Sequence, residues 1–301
     1  MAEEIGKLMR NGYETYTKNL NLSIPLVLNF FITIILAVIL AAFGFLYILG
    51  SSLSSLENVS SPEQLASIIL PLINQHIFEI ASIFLIIVVV ISFIQSYFTA
   101  GAIGMAKQAT ETGKSELTTM ASAGKKNVIN LFLAEILVGL LSLAGIVFMV
   151  PGAMKVDITE LFSPKNTEAG MLLLAGFLIW VLYLMIINLL LIVYRYALVI
   201  ESLGPIEAIT AGFRFFNQHK SDVFILWLVI GAIIIAFAII GEVMGLIPII
   251  NIIWAIVNMI VSIFVIPPLT TVWWVRLYMT RTDKQIYFND LLAHPNDLGK
   301  A

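Results

Sequence analysis

Six stretches with no charged residue dominate the chain: Asn19 to Leu56, Ile80 to Ala106, Ile136 to Met154, Gly170 to Tyr194, Val223 to Gly241 and Val243 to Val275. Each reaches the roughly 17 to 25 apolar residues that an α-helix needs to cross a bilayer. A soluble domain carries about 25% charged residues, whereas this chain has 12% charged and 60% hydrophobic residues, so a soluble fold is excluded. The expected fold is therefore an all-α integral membrane domain covering residues 1–301, with spans near Ile24–Leu49, Ile77–Ala100, Val128–Val150, Gly170–Ile200, Val223–Leu246 and Ile250–Thr280. Cysteine is absent, which removes disulfides and thiolate chemistry.

Orientation follows from the basic residues, because Lys and Arg near span ends favour the cytoplasmic side. Of the 16 Lys and Arg, all but Lys155 and Lys165 fall on one side of the threading pattern. This predicts a multi-pass protein of the cell membrane with both termini in the cytoplasm. The short positive segment before the first apolar run resembles a secretory leader only superficially. The run is longer than the about 7 to 15 residues of such a leader, so it is read as a retained span.

A weak internal repeat organises the chain into units 1–106, 107–203 and 204–301, each an amphipathic cytoplasmic segment, a basic corner and a helical hairpin. The corners are Lys18-Asn19, Lys125-Lys126-Asn127 and His219-Lys220-Ser221-Asp222. The segments before them show helical spacing of small and apolar residues: Ile5, Leu8, Gly12 and Tyr16; Leu117, Met120, Ala121 and Gly124; Ile206, Ile209, Phe213 and Phe216. The third has a start signal in Gly204, Pro205 and Glu207. All three are expected to lie at the cytoplasmic interface, with apolar faces toward lipid or the bundle. Lys18, Lys125, Lys126, Arg214 and Lys220 become candidate contacts to anionic headgroups. In the sixth span, Pro267-Pro268 frees backbone carbonyls and predicts a bend. On the outer side, the serine-rich Ser51 to Gln75 connection includes Asn58-Val59-Ser60, which matches a glycosylation acceptor.

The run from Glu201 through Ser202, Leu203, Gly204, Pro205, Ile206, Glu207, Ala208 and Ile209, followed by Phe213-Arg214-Phe215-Phe216 and a basic corner, resembles a pattern in bacterial and archaeal multi-span proteins. These are related to the membrane domain fused to some glycerophosphoryl diester phosphodiesterases. The resemblance implies a similar membrane architecture and lipid contact; it carries over no activity. This chain has Gly212 where Ser is more usual and Phe213 where Trp is, and no attached phosphodiesterase domain is expected.

A charge near the middle of a span costs about 2.5 to 3.5 kcal/mol on insertion scales and so needs a partner. Glu135 lies seven residues inside the predicted end of span three, roughly 10 Å deep at about 1.5 Å per residue. Arg195 on span four reaches a similar depth, and Arg276 on span six is the competing partner. Together with Asn188 and Asn258 these form a candidate intramembrane polar cluster. Such a cluster either locks helices together or lines a path.

Catalytic constellations are missing. His76, His219 and His294 are scattered, and no metal-binding histidine pair or nucleophile elbow occurs. Thr112-Gly113-Lys114-Ser115 ends like a phosphate-binding loop, but Gln108 stands where its first glycine belongs and no strand precedes it. No enzyme activity, cofactor, metal or nucleic-acid partner is expected. Two functions remain: a lipid-interacting scaffold or accessory protein, and a small transporter or channel with a path near Glu135 and Arg195. Membrane lipids, a second copy of the chain or another membrane protein are the partners either would use.

Overall fold

The computed structural model describes residues 3–50, 61, 64, 71–155 and 167–286. Helix α1 (Ile5–Lys18) leads through a 3-10 turn (Leu20–Ser23) into α2 (Ile24–Leu49). Next come α3 (Ile77–Thr112) and α4 (Leu117–Ala144), the latter prolonged by helical turns to Ala153. Helices α5 (Thr167–Leu191), α6 (Tyr194–Glu201), α7 (Pro205–Gln218) and α8 (Lys220–Gly245) follow. Helix α9 (Pro248–Ile260) continues through a π turn (Val261–Val265) into α10 (Ile266–Arg281). Six of the resulting helical segments are long and apolar enough to cross a membrane. Asn58 and most of the serine-rich outer connection lie outside the described residues.

Two boundaries differ from the sequence reading. The second basic corner is no corner: α4 runs unbroken through Lys125-Lys126-Asn127, with both lysines exposed and Asn127 Nδ2 donating to the carbonyl of Ala123, one turn back. Likewise α3 continues past Ala100 to Thr112. Lysine, glutamate and alanine are good helix formers, so a charge can mark where apolar composition ends without ending the helix. The stop comes at Gly113, whose φ of 77° lies in the left-handed region open to glycine. The predicted start of α7 is present, with Glu207 Oε2 accepting from the backbone N–H of Gly204 at 3.1 Å and Pro205 in the first turn.

Buried side chains gather at the end of the bundle that holds α1, α6 and α7, where Leu8, Leu131, Leu198, Leu226 and the stretch Val272 to Met279 form one core. The apolar face of α1 is turned inward. Leu8, Gly12 and Tyr16 repeat every four residues and pack on α10, and Gly12 lets the helix approach Trp273, whose Nε1 donates to the carbonyl of Met9 at 3.0 Å. Gly101 and Gly104 of α3 and Gly124 of α4 bring those two helices together against Met120, Ala123 and Tyr97. Asn19 then fastens α1 to the α3–α4 turn, donating to Gly113 O at 3.0 Å and accepting from the Ser115 N–H at 2.9 Å.

Where Pro267-Pro268 predicted a bend, the helix passes through the π turn just before them. The Phe264 carbonyl would ordinarily accept from the residue four positions on, but Pro268 has no N–H. The hydroxyls of Tyr16 and Ser23 donate to it instead, at 2.7 and 2.8 Å. Toward the other end the helices leave their apolar side chains outside, as at Phe78 (82% exposed) and Leu246 (80%). Apolar surface on this scale is stable against acyl chains rather than water, which is the tertiary counterpart of the span lengths.

Candidate functional site: a cleft at Arg195

Four spans meet around Arg195. Its Nε lies 3.3 Å from Glu135 Oε1 on α4 and donates to the Tyr194 hydroxyl at 3.2 Å, and the guanidinium carbon is 5.7 Å from the Tyr194 ring centre. The other oxygen of Glu135 accepts from Ser96 Oγ of α3 at 2.7 Å, and Ser96 is fully buried. The carboxylate is thus held between a hydroxyl and a cation, the compensation that a charge among apolar helices requires. The predicted Glu135–Arg195 pair is formed, and it joins α3, α4 and α6.

Seven residues before Arg195, Asn188 lies almost two helical turns away and shares its side of the span. Asn188 Oδ1 accepts from Trp227 Nε1 of α8 at 3.2 Å. Both residues line a cleft of about 600 Å³, with Thr270 and Trp274 of α10 on the far wall. Trp274 stacks on Tyr196 with ring centres 6.2 Å apart.

The remaining members of the predicted cluster are elsewhere. Arg276 does not compete for Glu135: its Nε and Nη2 grip the two oxygens of Glu3 at 2.8 and 3.0 Å, and both side chains are only 3% exposed. Packing of α1 on α10 brings residues 3 and 276 together, which spacing along the chain does not reveal. Asn258 lies in a separate cleft of about 560 Å³ between α8 and α9, beside Glu242, and its Oδ1 accepts from Ser262 Oγ at 3.3 Å. A single polar path through all five residues is therefore absent.

Glu3 was missed from sequence, together with the ionic network it anchors. Asn11 Nδ2 donates to it, Arg281 Nη2 donates to its backbone carbonyl at 2.9 Å, and Arg281 Nε pairs with Asp222 Oδ2 of α8 at 2.6 Å. Lys284 and Glu201 add a pair at 3.4 Å. The available signal was Arg276 itself, since a guanidinium in an apolar helix demands an acid, and Glu3 heads the amphipathic helix. Beside this network, burial holds the His219 imidazole below its usual range; Asp222 opposes that and Arg281 adds to it.

The five predicted headgroup contacts share another property. Lys18, Lys125, Lys126, Arg214 and Lys220 are all exposed, and none has an acidic partner within ion-pair distance among the described residues. On α7, Arg214 stands next to exposed Phe213, while Ile206 is exposed two turns earlier on the same side.

Residues 72–279 match the family described as a domain of unknown function, DUF7847. The chain belongs to the DUF7847 family. An uncharacterized protein of Archaeoglobus fulgidus is 25% identical to it over 300 residues, covering 94% of this chain and 97% of that protein. No solved structure matches the chain. The DUF7847 match takes in Ser96, Glu135, Asn188 and Arg195, so the whole Arg195 cluster lies within the domain. Glu3, the partner of Arg276, stands before it.

Proposed function

We propose that this DUF7847 protein is a non-enzymatic, lipid-interacting scaffold or accessory protein of the cell membrane, with its basic end and both termini in the cytoplasm. The observation that carries this reading is the division of its cations. Arg195, Arg276 and Arg281 have acidic partners, whereas Lys18, Lys125, Lys126, Arg214 and Lys220 are exposed and unpaired among the described residues. A cation beside an anionic membrane surface gains about 1 kcal/mol of attraction, and exposed Phe213 and Ile206 offer α7 an apolar edge beside Arg214. The likeness to multi-span proteins related to phosphodiesterase membrane domains points the same way. A transport path is the weaker reading, because Asn258 and Arg276 stand apart from the Arg195 cleft.

The test is lipid selectivity in nanodiscs holding equal phosphatidylglycerol and phosphatidylcholine, read by native mass spectrometry of the lipid shell released with the protein. Wild type is expected to enrich the anionic lipid, and Lys125→Glu/Lys126→Glu/Arg214→Glu to lose that enrichment. A shell matching the bulk mixture for both proteins refutes the reading.

A further inference from the structure

We propose that the Arg195 cleft holds one phospholipid, its phosphate on Arg195 and Asn188 and an acyl chain along the apolar wall. The guanidinium supplies the first argument. Its Nε serves Glu135 and Tyr194, while Nη1 and Nη2 have no hydrogen-bond partner among the described residues, and the side chain, 49% exposed, stands at the open side of a cleft between apolar helices. A planar pair of N–H donors matches two oxygens of a phosphate, which is the geometry guanidinium favours over a single acceptor.

Asn188 supplies the second. With Oδ1 occupied by Trp227, its Nδ2 donors have no partner among the described residues and line the same cleft. In a bilayer a donor that faces acyl chains rather than water is costly unless something accepts from it.

The walls complete the description of the occupant. Val138, Leu184, Ile187 and Ile230 are apolar, and Trp227 and Trp274 are aromatic. The volume of about 600 Å³ falls within the roughly 300 to 1,000 Å³ of small-ligand sites. Met185 and Asn188 are exposed on α5, so the cleft is open at the surface of the bundle and a lipid can enter sideways from the bilayer. Glu135 leaves the arrangement specific rather than merely attractive. It offsets the charge of Arg195 through Nε and is itself steadied by Ser96, so the remaining donors select a group by its acceptor oxygens and shape.

This inference rests on the lipid-contact reading, yet it fails independently of it. The exposed cations Lys18, Lys125, Lys126, Arg214 and Lys220 act on net headgroup charge, whereas the cleft acts on the phosphate shared by charged and zwitterionic phospholipids. The experiment uses the full chain in nanodiscs of phosphatidylglycerol, phosphatidylcholine and diacylglycerol, followed by detergent release and native mass spectrometry. Wild type is expected to keep one phospholipid of either headgroup and to discriminate against diacylglycerol. Leu184→Trp, which fills the cleft without touching a charge, should lose that lipid. Glu135→Gln/Arg195→Gln, which removes both charges together and leaves neither orphaned, should lower the preference for phospholipid over diacylglycerol about tenfold. Lys125→Glu/Lys126→Glu/Arg214→Glu should leave the single retained lipid in place while changing the shell around it. Equal retention by wild type and Leu184→Trp overturns the proposal, as does retention of diacylglycerol as readily as phospholipid, or of free phosphate instead of a lipid.

Discussion

Removing the Glu3 carboxylate by Glu3→Ala is expected to undock α1 from the bundle. Two charge-assisted hydrogen bonds, at 2.8 and 3.0 Å, join Glu3 to Arg276, and each side chain is 3% exposed. Breaking a buried pair from one side costs about 3 to 5 kcal/mol, because the orphaned ion stays desolvated. Glu3 lies just before the first turn of α1, so water can follow once the acid is gone, which places the cost near the lower figure. A loss of about 3 kcal/mol corresponds to roughly a 150-fold rise in local opening, at about 1.4 kcal/mol per tenfold. Hydrogen exchange followed by mass spectrometry reads this directly in the amides of Ile5 to Lys18. Arg276→Met alone should accelerate the same amides, and Glu3→Leu/Arg276→Met should recover most of the protection, since an apolar replacement leaves no unpaired charge. Unchanged α1 exchange in Glu3→Ala, or a double variant as labile as the single ones, refutes the view that this pair secures the helix.

Three further outcomes follow from other contacts. Tyr16→Phe removes one of two donors to the Phe264 carbonyl and should cost about 1 kcal/mol, whereas Tyr16→Phe/Ser23→Ala orphans the carbonyl and should cost more than the sum of the single changes, read as exchange protection across residues 261–268. Gly104→Val forces a side chain into Ala123 and should destabilise α3–α4 packing by about 1 to 3 kcal/mol, with Ala123→Gly restoring part of the loss in a thermal unfolding assay. His219 has a proton affinity depressed in the folded state, so the unfolded chain binds the extra proton: stability is complete above about pH 6.5 and declines as pH falls through the lower folded value. The thermal midpoint of wild type should therefore drop more between pH 7.5 and pH 5 than that of His219→Gln.

Span number, the start of α7, the backbone carbonyl freed by Pro268 and the need of Glu135 for a cation were legible in the chain, because each rests on a local rule. Hydropathy over some 20 residues measures a span. Gly204-Pro205 with Glu207 satisfies the first orphan amides of a helix. Pro268 cannot donate to Phe264 whatever surrounds it. Glu135 and Arg195 lie at a similar depth on adjacent spans, while Arg276 at a comparable level left the choice of partner open until the structure paired it with Glu3. The Lys125-Lys126-Asn127 corner misled for an instructive reason: composition reports where apolar surroundings end, while the helix obeys backbone hydrogen bonding and runs on to its own stop signal.

Local patterning by itself determined that the chain is helical, that six segments can cross a bilayer and that the intramembrane charges needed partners. Only the tertiary structure decided which partners: Arg276 met Glu3 because the apolar face of α1 lies on α10, and Asn258 parted from Arg195 because α9 packs beside α8. Hydrophobicity is a property of each segment and acts without direction, so it is readable residue by residue. Ion pairs and clefts depend on which helix faces which, and close contacts at Gly12, Gly104 and Gly124 set that arrangement between residues distant along the chain.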